Sequence, residues 1–241
     1  MSIILVNSLA SCGSENLAKG RVEEDTDDKI TYAMNNDDFD TAITLLEQQI
    51  ESYPEEYQRF ALLGAAYAAR AGVSILAMVK AQFSSGSTGS GGSSLVSQLS
   101  SFIPTTPTAQ NLSDLKTGLD RLQAIPAAER AEGTEEKYGQ SASFQLTLYS
   151  AAYSVMYMSQ FTSAVTGDFD PAKVATMSDA DVENILDALI LAAASGTGPA
   201  AGLGDVIDEA LVQIEQQPGS TTREKMVNYM NTTGNAPALN R

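Results

Sequence analysis

The stretch that decides the fold is residues 37–68, DDFDTAITLLEQQIESYPEEYQRFALLGAAYA. Apolar residues stand at Phe39, Ala42, Ile43, Leu46 and Ile50. That i, i+3, i+4, i+7 spacing lays one continuous stripe along an α-helix. Asp37 or Asp38 can accept from the first free backbone N–H groups, and Tyr53-Pro54 ends the helix because Pro cannot continue it. A second helix is expected to open near Glu55-Glu56 and to carry Phe60, Leu63, Gly64, Tyr67 and Ala68 on its packing face. Two amphipathic helices joined by so short a turn form a hairpin that must bury its stripes against something else.

The residues of this hairpin resemble the tetratricopeptide repeat, a helix–turn–helix unit of about 34 residues. Phe39 and Ala42 match the aromatic and small positions of a helix B, and Pro54 matches its terminal proline. Phe60, Leu63-Gly64 and Tyr67 then fall on the helix A signature of the next unit without a gap. The resemblance covers about residues 26–80. It implies that Gly64 and Ala42 let two helices approach closely while Phe39, Phe60 and Tyr67 fill the adjacent spaces. Ile30, Ala33 and Met34 anchor a weaker preceding helix, and the second helix B is not recognisable after Ala71-Gly72.

Working outward, residues 84–94 are SSGSTGSGGSS, a segment with no apolar surface to bury, and are expected to be a flexible loop within one helical domain rather than a link between two. Leu112, Leu115, Leu119 and Leu122 predict a helix over 111–125, after a short apolar stretch at 95–103. Residues 144–161 are apolar almost all round yet interrupted by Ser and Thr, which predicts a central buried helix rather than a membrane span. Tyr149, Tyr153 and Tyr157 share one face of it. With Met156 they are core residues in the simpler interpretation, or the lining of an apolar pocket whose hydroxyls orient a ligand. Ser178 and Asp181 predict a capping box for a helix over 182–194. Gly196, Gly198 and Pro199 break that helix, and two more are expected at 206–216 and 221–230. The fold class expected is all-α, an irregular helical bundle or short α-solenoid that contains the tetratricopeptide-like hairpin.

At the N-terminus, Leu9-Ala10-Ser11-Cys12 holds the single cysteine of the chain and resembles the lipobox of bacterial lipoproteins. The resemblance implies lipidation at Cys12, with residues 1–11 as a signal-peptide remnant, 12–25 as a tether and 26–241 as the helical domain. No Lys or Arg precedes Lys19 and the apolar run is short, so a start upstream is expected with it. Alternatively the segment is an N-terminal strand with an incidental cysteine. Gly13, where an inner-membrane retention signal would have Asp, implies an outer-membrane address facing the periplasm.

Composition narrows the chemistry. The 241 residues contain no His and no Trp, and 30 acids against 14 Lys and Arg leave a net charge of −16. Without His there is neither the usual general base near neutral pH nor the commonest zinc ligand. A surface of this sign repels phosphate backbones, so no nucleic-acid partner is expected. Asp168-Phe169-Asp170 and Asp179-Ala180-Asp181 echo the opening of a calcium loop but lack its Gly and distal Glu, and local structure accounts for both, since Asp170 precedes Pro171 and Asp181 sits in a cap. The glycines of 196–204 are not followed by Gly-Lys-Ser/Thr and make no phosphate loop. No catalytic constellation, metal site or cofactor is expected. The function expected is that of a lipid-anchored envelope protein whose helical-repeat surface binds another envelope protein or complex, as an assembly factor or scaffold. The alternative is a periplasmic binding protein for an apolar small molecule, accessory to a transport system.

Overall fold

The computed structural model describes residues 25–73, 102–130, 138–163, 168–196 and 201–233. Ten α-helices occur among the described residues, and the only strand-type pairing is an isolated bridge between Thr162 and Phe169. The molecule is an all-α bundle.

The N-terminal part is a run of antiparallel neighbours. Helix α1 (Thr26–Asn35) carries Asp27 and Asp28 in its first turn, where carboxylates complement the helix dipole. It ends in a Schellman motif: Asp38 N–H donates to the Ala33 carbonyl at 2.9 Å and Asp37 N–H to Met34 at 3.4 Å. Asp37 occupies the left-handed position of that motif with φ of 58°, a place that usually falls to Gly. The next residue, Asp38, is already the N-cap of α2 (Phe39–Ser52) and accepts from Thr41 N–H at 3.3 Å. After Tyr53-Pro54, α3 (Tyr57–Arg70) begins slightly later than Glu55-Glu56, and it closes in a second Schellman motif with Gly72 at φ 83°. The chain returns in α4 (Ala109–Gln123), which lies antiparallel on α3. Its start is set by a capping box of Thr108 and Asn111, a few residues before the expected 111.

A short α5 (Ala127–Arg130) leads to α6 (Tyr138–Met158), the central helix, which α3, α4, α5, α8 and α9 all touch. It begins earlier than residue 144, and residues 159–161 form a 3-10 turn rather than its last turn. Two of its buried hydroxyls bond back along the helix: Thr147 donates to the Ser143 carbonyl at 3.0 Å and Ser154 to the Ser150 carbonyl at 3.0 Å. This local satisfaction lets Ser and Thr sit in an apolar interior. Asp170 caps α7 (Pro171–Ala175), accepting from Ala172 N–H at 2.9 Å, with Pro171 in the first turn.

Helix α8 (Asp179–Ser195) has the expected capping box: Asp181 N–H to Ser178 Oγ at 3.2 Å, and Ser178 N–H to Asp181 Oδ2 at 2.7 Å. It runs antiparallel to α6, with Ser154 opposite Ile185 and Tyr157 opposite Asp181. Helix α9 (Ala201–Glu215) starts well before the expected 206 and folds back on α8 where Gly196 meets Gly204; a Cβ on Gly196 would lie 2.9 Å from the Gly204 Cα. Helix α10 (Thr222–Thr233) leans on α7, α8 and α9.

The apolar interior has two parts. A small cluster of Ile30, Ile43, Leu46, Leu63, Ala66 and Tyr67 joins α1, α2 and α3. The main core surrounds α6 and takes in Ala61 and Ala68 from the other face of α3, together with Val73, Phe102 and Ile103. Helix α3 is thus shared between the two, which is how the hairpin finds the partner surface it needs.

Candidate functional site

Polar braces tie helices α1 to α4 into one layer. At the C-terminal end of α3, where a cation suits the helix dipole, Arg70 forks onto Asp114 of α4. Nε donates to Oδ2 at 3.1 Å and Nη2 to Oδ1 at 2.7 Å. Its remaining Nη1 donates to Asp40 of α2 at 2.6 Å, and the guanidinium lies 5.0 Å over the Tyr67 ring. Asp114 is only 4% exposed and also accepts from Gln110 at 2.9 Å. Hydrogen bonding to Asp114 holds the Arg70 pKa above its ordinary value, against the opposing effect of burial. The pair to Asp40 involves a carboxylate in open solvent and contributes at most about 1 kcal/mol. The bidentate pair to Asp114 matters more, because it neutralises a charge that has left water.

Two further braces run along the same layer. Tyr67 donates its hydroxyl to Glu47 at 3.0 Å, and Arg121 of α4 donates to the same Oε1 at 3.1 Å. Burial, then the Glu47 carboxylate, pushes the Tyr67 phenol above its usual range. Arg59 reaches Glu56 at 2.5 Å, Gln49 at 2.7 Å and Asp27 of α1 at 3.4 Å, with its guanidinium 5.5 Å over Tyr53. Asp40, Arg70, Gln110 and Asp114 line an open depression of about 510 Å³, together with Thr108 and Asn111. Its single cation already serves two carboxylates, so the depression has no spare positive charge for an anionic ligand.

The residues expected to pack the hairpin are brought together, with one correction. Ala42 and Leu63 are fully buried, Tyr67 nearly so, Phe39 and Phe60 half-buried, and Pro54 exposed in the turn. Leu63 and Tyr67 face α1 and α2, whereas Phe60 packs on the main core beside Tyr57, ring to ring at 6.2 Å. The close approach through Gly64 is not toward Ala42 but toward α4. A Cβ on Gly64 would lie 2.8 Å from Leu122 Cγ, and one on Gly118 3.0 Å from the Gly64 carbonyl oxygen. Gly118 was hidden in the Leu stripe of 112–122; a glycine amid leucines in mid-helix was the available signal. Asp114 was equally visible as an acid beside the apolar face of that helix.

The aromatic stripe on α6 divides. Tyr149 and Met156 are fully buried, Tyr153 nearly so, and Tyr157 half-buried. The rings of Tyr153 and Tyr157 are 5.8 Å apart. Tyr157 donates to Asp181 at 2.9 Å and accepts from Asn184 at 3.3 Å, which fastens α6 to the start of α8. Burial would raise the Asp181 pKa, but hydrogen bonds from Ser178 and Tyr157 outweigh it and leave the carboxyl below its usual value. Burial raises the phenols of Tyr153 and Tyr157, helped by each one's acidic neighbours. Tyr149 differs: its hydroxyl is buried without a hydrogen-bond partner among the described residues, and burial alone drives its pKa up.

Cys12 and the 84–94 segment lie outside the described residues. Among the described residues no helix is long and apolar enough to cross a membrane, and no group of three His, Cys, Asp or Glu is placed to hold a metal ion. No family model matches the chain, and no match to it was found among curated proteins or solved structures.

Proposed function

We propose that this is a non-catalytic, lipid-anchored protein of the bacterial cell envelope that offers its N-terminal helical layer to a protein partner, as an assembly factor or scaffold. The observation that carries the proposal is the set of braces across α1 to α4. Arg59, Glu47, Tyr67, Arg70, Asp114 and Arg121 are engaged with one another or with neighbouring polar groups. Such a layer keeps one fixed shape, and rigid helical layers recognise proteins by shape and exposed anchors. Tyr32 of α1 and Tyr53 after α2 stand in solvent and are suitable anchors, since exposed aromatic residues dominate interface energetics. The anchor rests on the lipobox-like Leu9-Ala10-Ser11-Cys12, and the absence of His supports a role without acid–base chemistry.

The test places a photo-crosslinking residue at Tyr32 or Tyr53 in cells that express wild type or Cys12→Ser, with fractionation of the envelope. A discrete adduct at either position, and loss of membrane association in the Cys12 variant, are expected. Uniform absence of adducts sinks the scaffold, and unchanged fractionation sinks the anchor.

A second reading, a binding protein for an apolar small molecule that assists a transport system, draws on one observation. The buried Tyr149 hydroxyl has no hydrogen-bond partner among the described residues, and a ligand oxygen would supply one.

A further inference from the structure

Helices α8 and α10 leave an open groove of about 460 Å³. Its apolar side is Val182, Leu186 and Ile190, one residue per turn of α8. Val182 is buried, Leu186 is half-buried and Ile190 is 54% exposed, so the stripe climbs from floor to rim. Beside it run Asp179, Glu183 and Asp187 at the same i, i+4, i+8 spacing. All three are exposed, and none has an ion-pair or hydrogen-bond partner among the described residues. The opposite wall is the start of α10, where Arg223 lines the groove. Its guanidinium donates to the backbone carbonyls of Met177 at 2.6 Å and Ala175 at 3.4 Å and pairs directly with none of the three carboxylates, which outnumber it.

We infer that this groove docks a cationic amphipathic helix of a partner protein. The match is geometric: a helix rises about 6 Å in four residues, so three carboxylates one turn apart meet Lys or Arg side chains at i, i+4 and i+8 of an antiparallel or parallel partner helix. Its apolar face would cover Ile190 and Leu186 and supply most of the affinity, while the charges supply selectivity and rate of encounter. The net charge of −16 steers such a partner from a distance. The occupant comes from outside this chain. No two of its 14 Lys and Arg stand three or four positions apart, so neither another segment nor a second copy can offer a cationic helical stripe. Among the described residues neither α8 nor α10 packs substantially on α1 to α4.

The test uses full-length protein and a labelled synthetic helix of about three turns or more with Leu on one face and Lys at i, i+4, i+8 beside it. The control peptide carries Glu in place of Lys. Binding of the Lys peptide alone is expected, and it weakens as salt rises. Asp179→Asn/Glu183→Gln/Asp187→Asn is expected to weaken it about tenfold, from three rim pairs of modest worth each. Ile190→Ser is expected to weaken it as well. The charge-matched variant Glu51→Gln/Glu55→Gln/Asp208→Asn is expected to bind as wild type. Asp181 and its capping box stay intact throughout, and circular dichroism checks that helicity is kept. Failure of the Lys peptide to bind, equal loss in the charge-matched variant, or a silent Ile190→Ser each overturns the inference.

Discussion

Glycine-to-alanine exchanges at two helical positions should have opposite signs. Gly118 lies in α4 where an added Cβ would come within 3.0 Å of the Gly64 carbonyl oxygen and 3.1 Å of Tyr67 Cβ. The first of these atoms is backbone, and neither can swing aside. Gly202 lies in α9 with nothing within 4 Å of the corresponding methyl. Alanine stabilises a helix interior relative to glycine by up to about 1 kcal/mol; Gly202 stands in the first turn of α9, so Gly202→Ala is expected to gain less than that. Gly118→Ala, in mid-helix, receives the full gain but also forces α3 and α4 apart, an overpacking cost of about 1–3 kcal/mol. The overpacking cost equals or exceeds the propensity gain, so the sign of the Gly118→Ala effect reports the seam. For a chain of this size that is roughly 2–4 °C in Tm per kcal/mol, with Gly202→Ala above wild type and Gly118→Ala below Gly202→Ala by several degrees. Urea unfolding followed by circular dichroism, with unchanged m-values, gives the free energies. Equal stabilisation by both exchanges would show that α3 and α4 do not meet at Gly64 and Gly118.

Four other outcomes can be measured the same way. Arg70→Met strands the buried Asp114 carboxylate and should cost about 3 kcal/mol, whereas Arg70→Met/Asp114→Leu should recover most of that loss in a double-mutant cycle. Tyr149→Phe removes a buried hydroxyl without a partner and should raise stability by about 1–3 kcal/mol; a fall would mean that the hydroxyl is satisfied, and loss of apolar-ligand binding would favour the second functional reading. Asp181 has its pKa depressed in the fold, so its stabilisation is present above the aspartate value of the unfolded chain, ~3.9, and is lost as pH falls through its lower folded value. The stability gap between wild type and Asp181→Asn should therefore be constant at neutral pH and close only in acid below that range; a gap that closes on raising the pH contradicts the assignment. Asp37→Gly should stabilise by about 1 kcal/mol because it relieves the left-handed backbone at the α1–α2 junction, and no change would place Asp37 outside that conformation.

The helices themselves could be read from the chain because their signals are local. The stripe of α2, the Ser178–Asp181 box and the apolar block of α6 each lie within a few turns of sequence, and each helix formed there. Junctions were harder. Thr108 with Asn111 is a capping box without an acid, and Ala201-Gly202-Leu203-Gly204 has the composition of a linker although it is the first turn of α9. Pairing was hardest of all. Periodicity tells which face of a helix is buried, not what it is buried against, so Gly64 was legible as a contact point while Gly118 as its partner was not. The same limit applies to the α8 groove: its two stripes are in the sequence, but their openness depends on where α10 comes to rest. Arg70 and Asp114 are distant in sequence and meet only because α4 returns along α3.

That return has a consequence for how the protein can change. Val73 and Phe102 are both in the main core, and Gly72 sits so close to Pro104 that a Cβ there would lie 2.8 Å from the proline Cγ. The two described segments that flank residues 74–101 therefore meet at one spot. Closing a longer excursion between two touching ends costs only about 0.6 kcal/mol for each doubling of its length. Lengthening the Gly/Ser run of residues 84–94 is accordingly expected to change the stability of the described helices little.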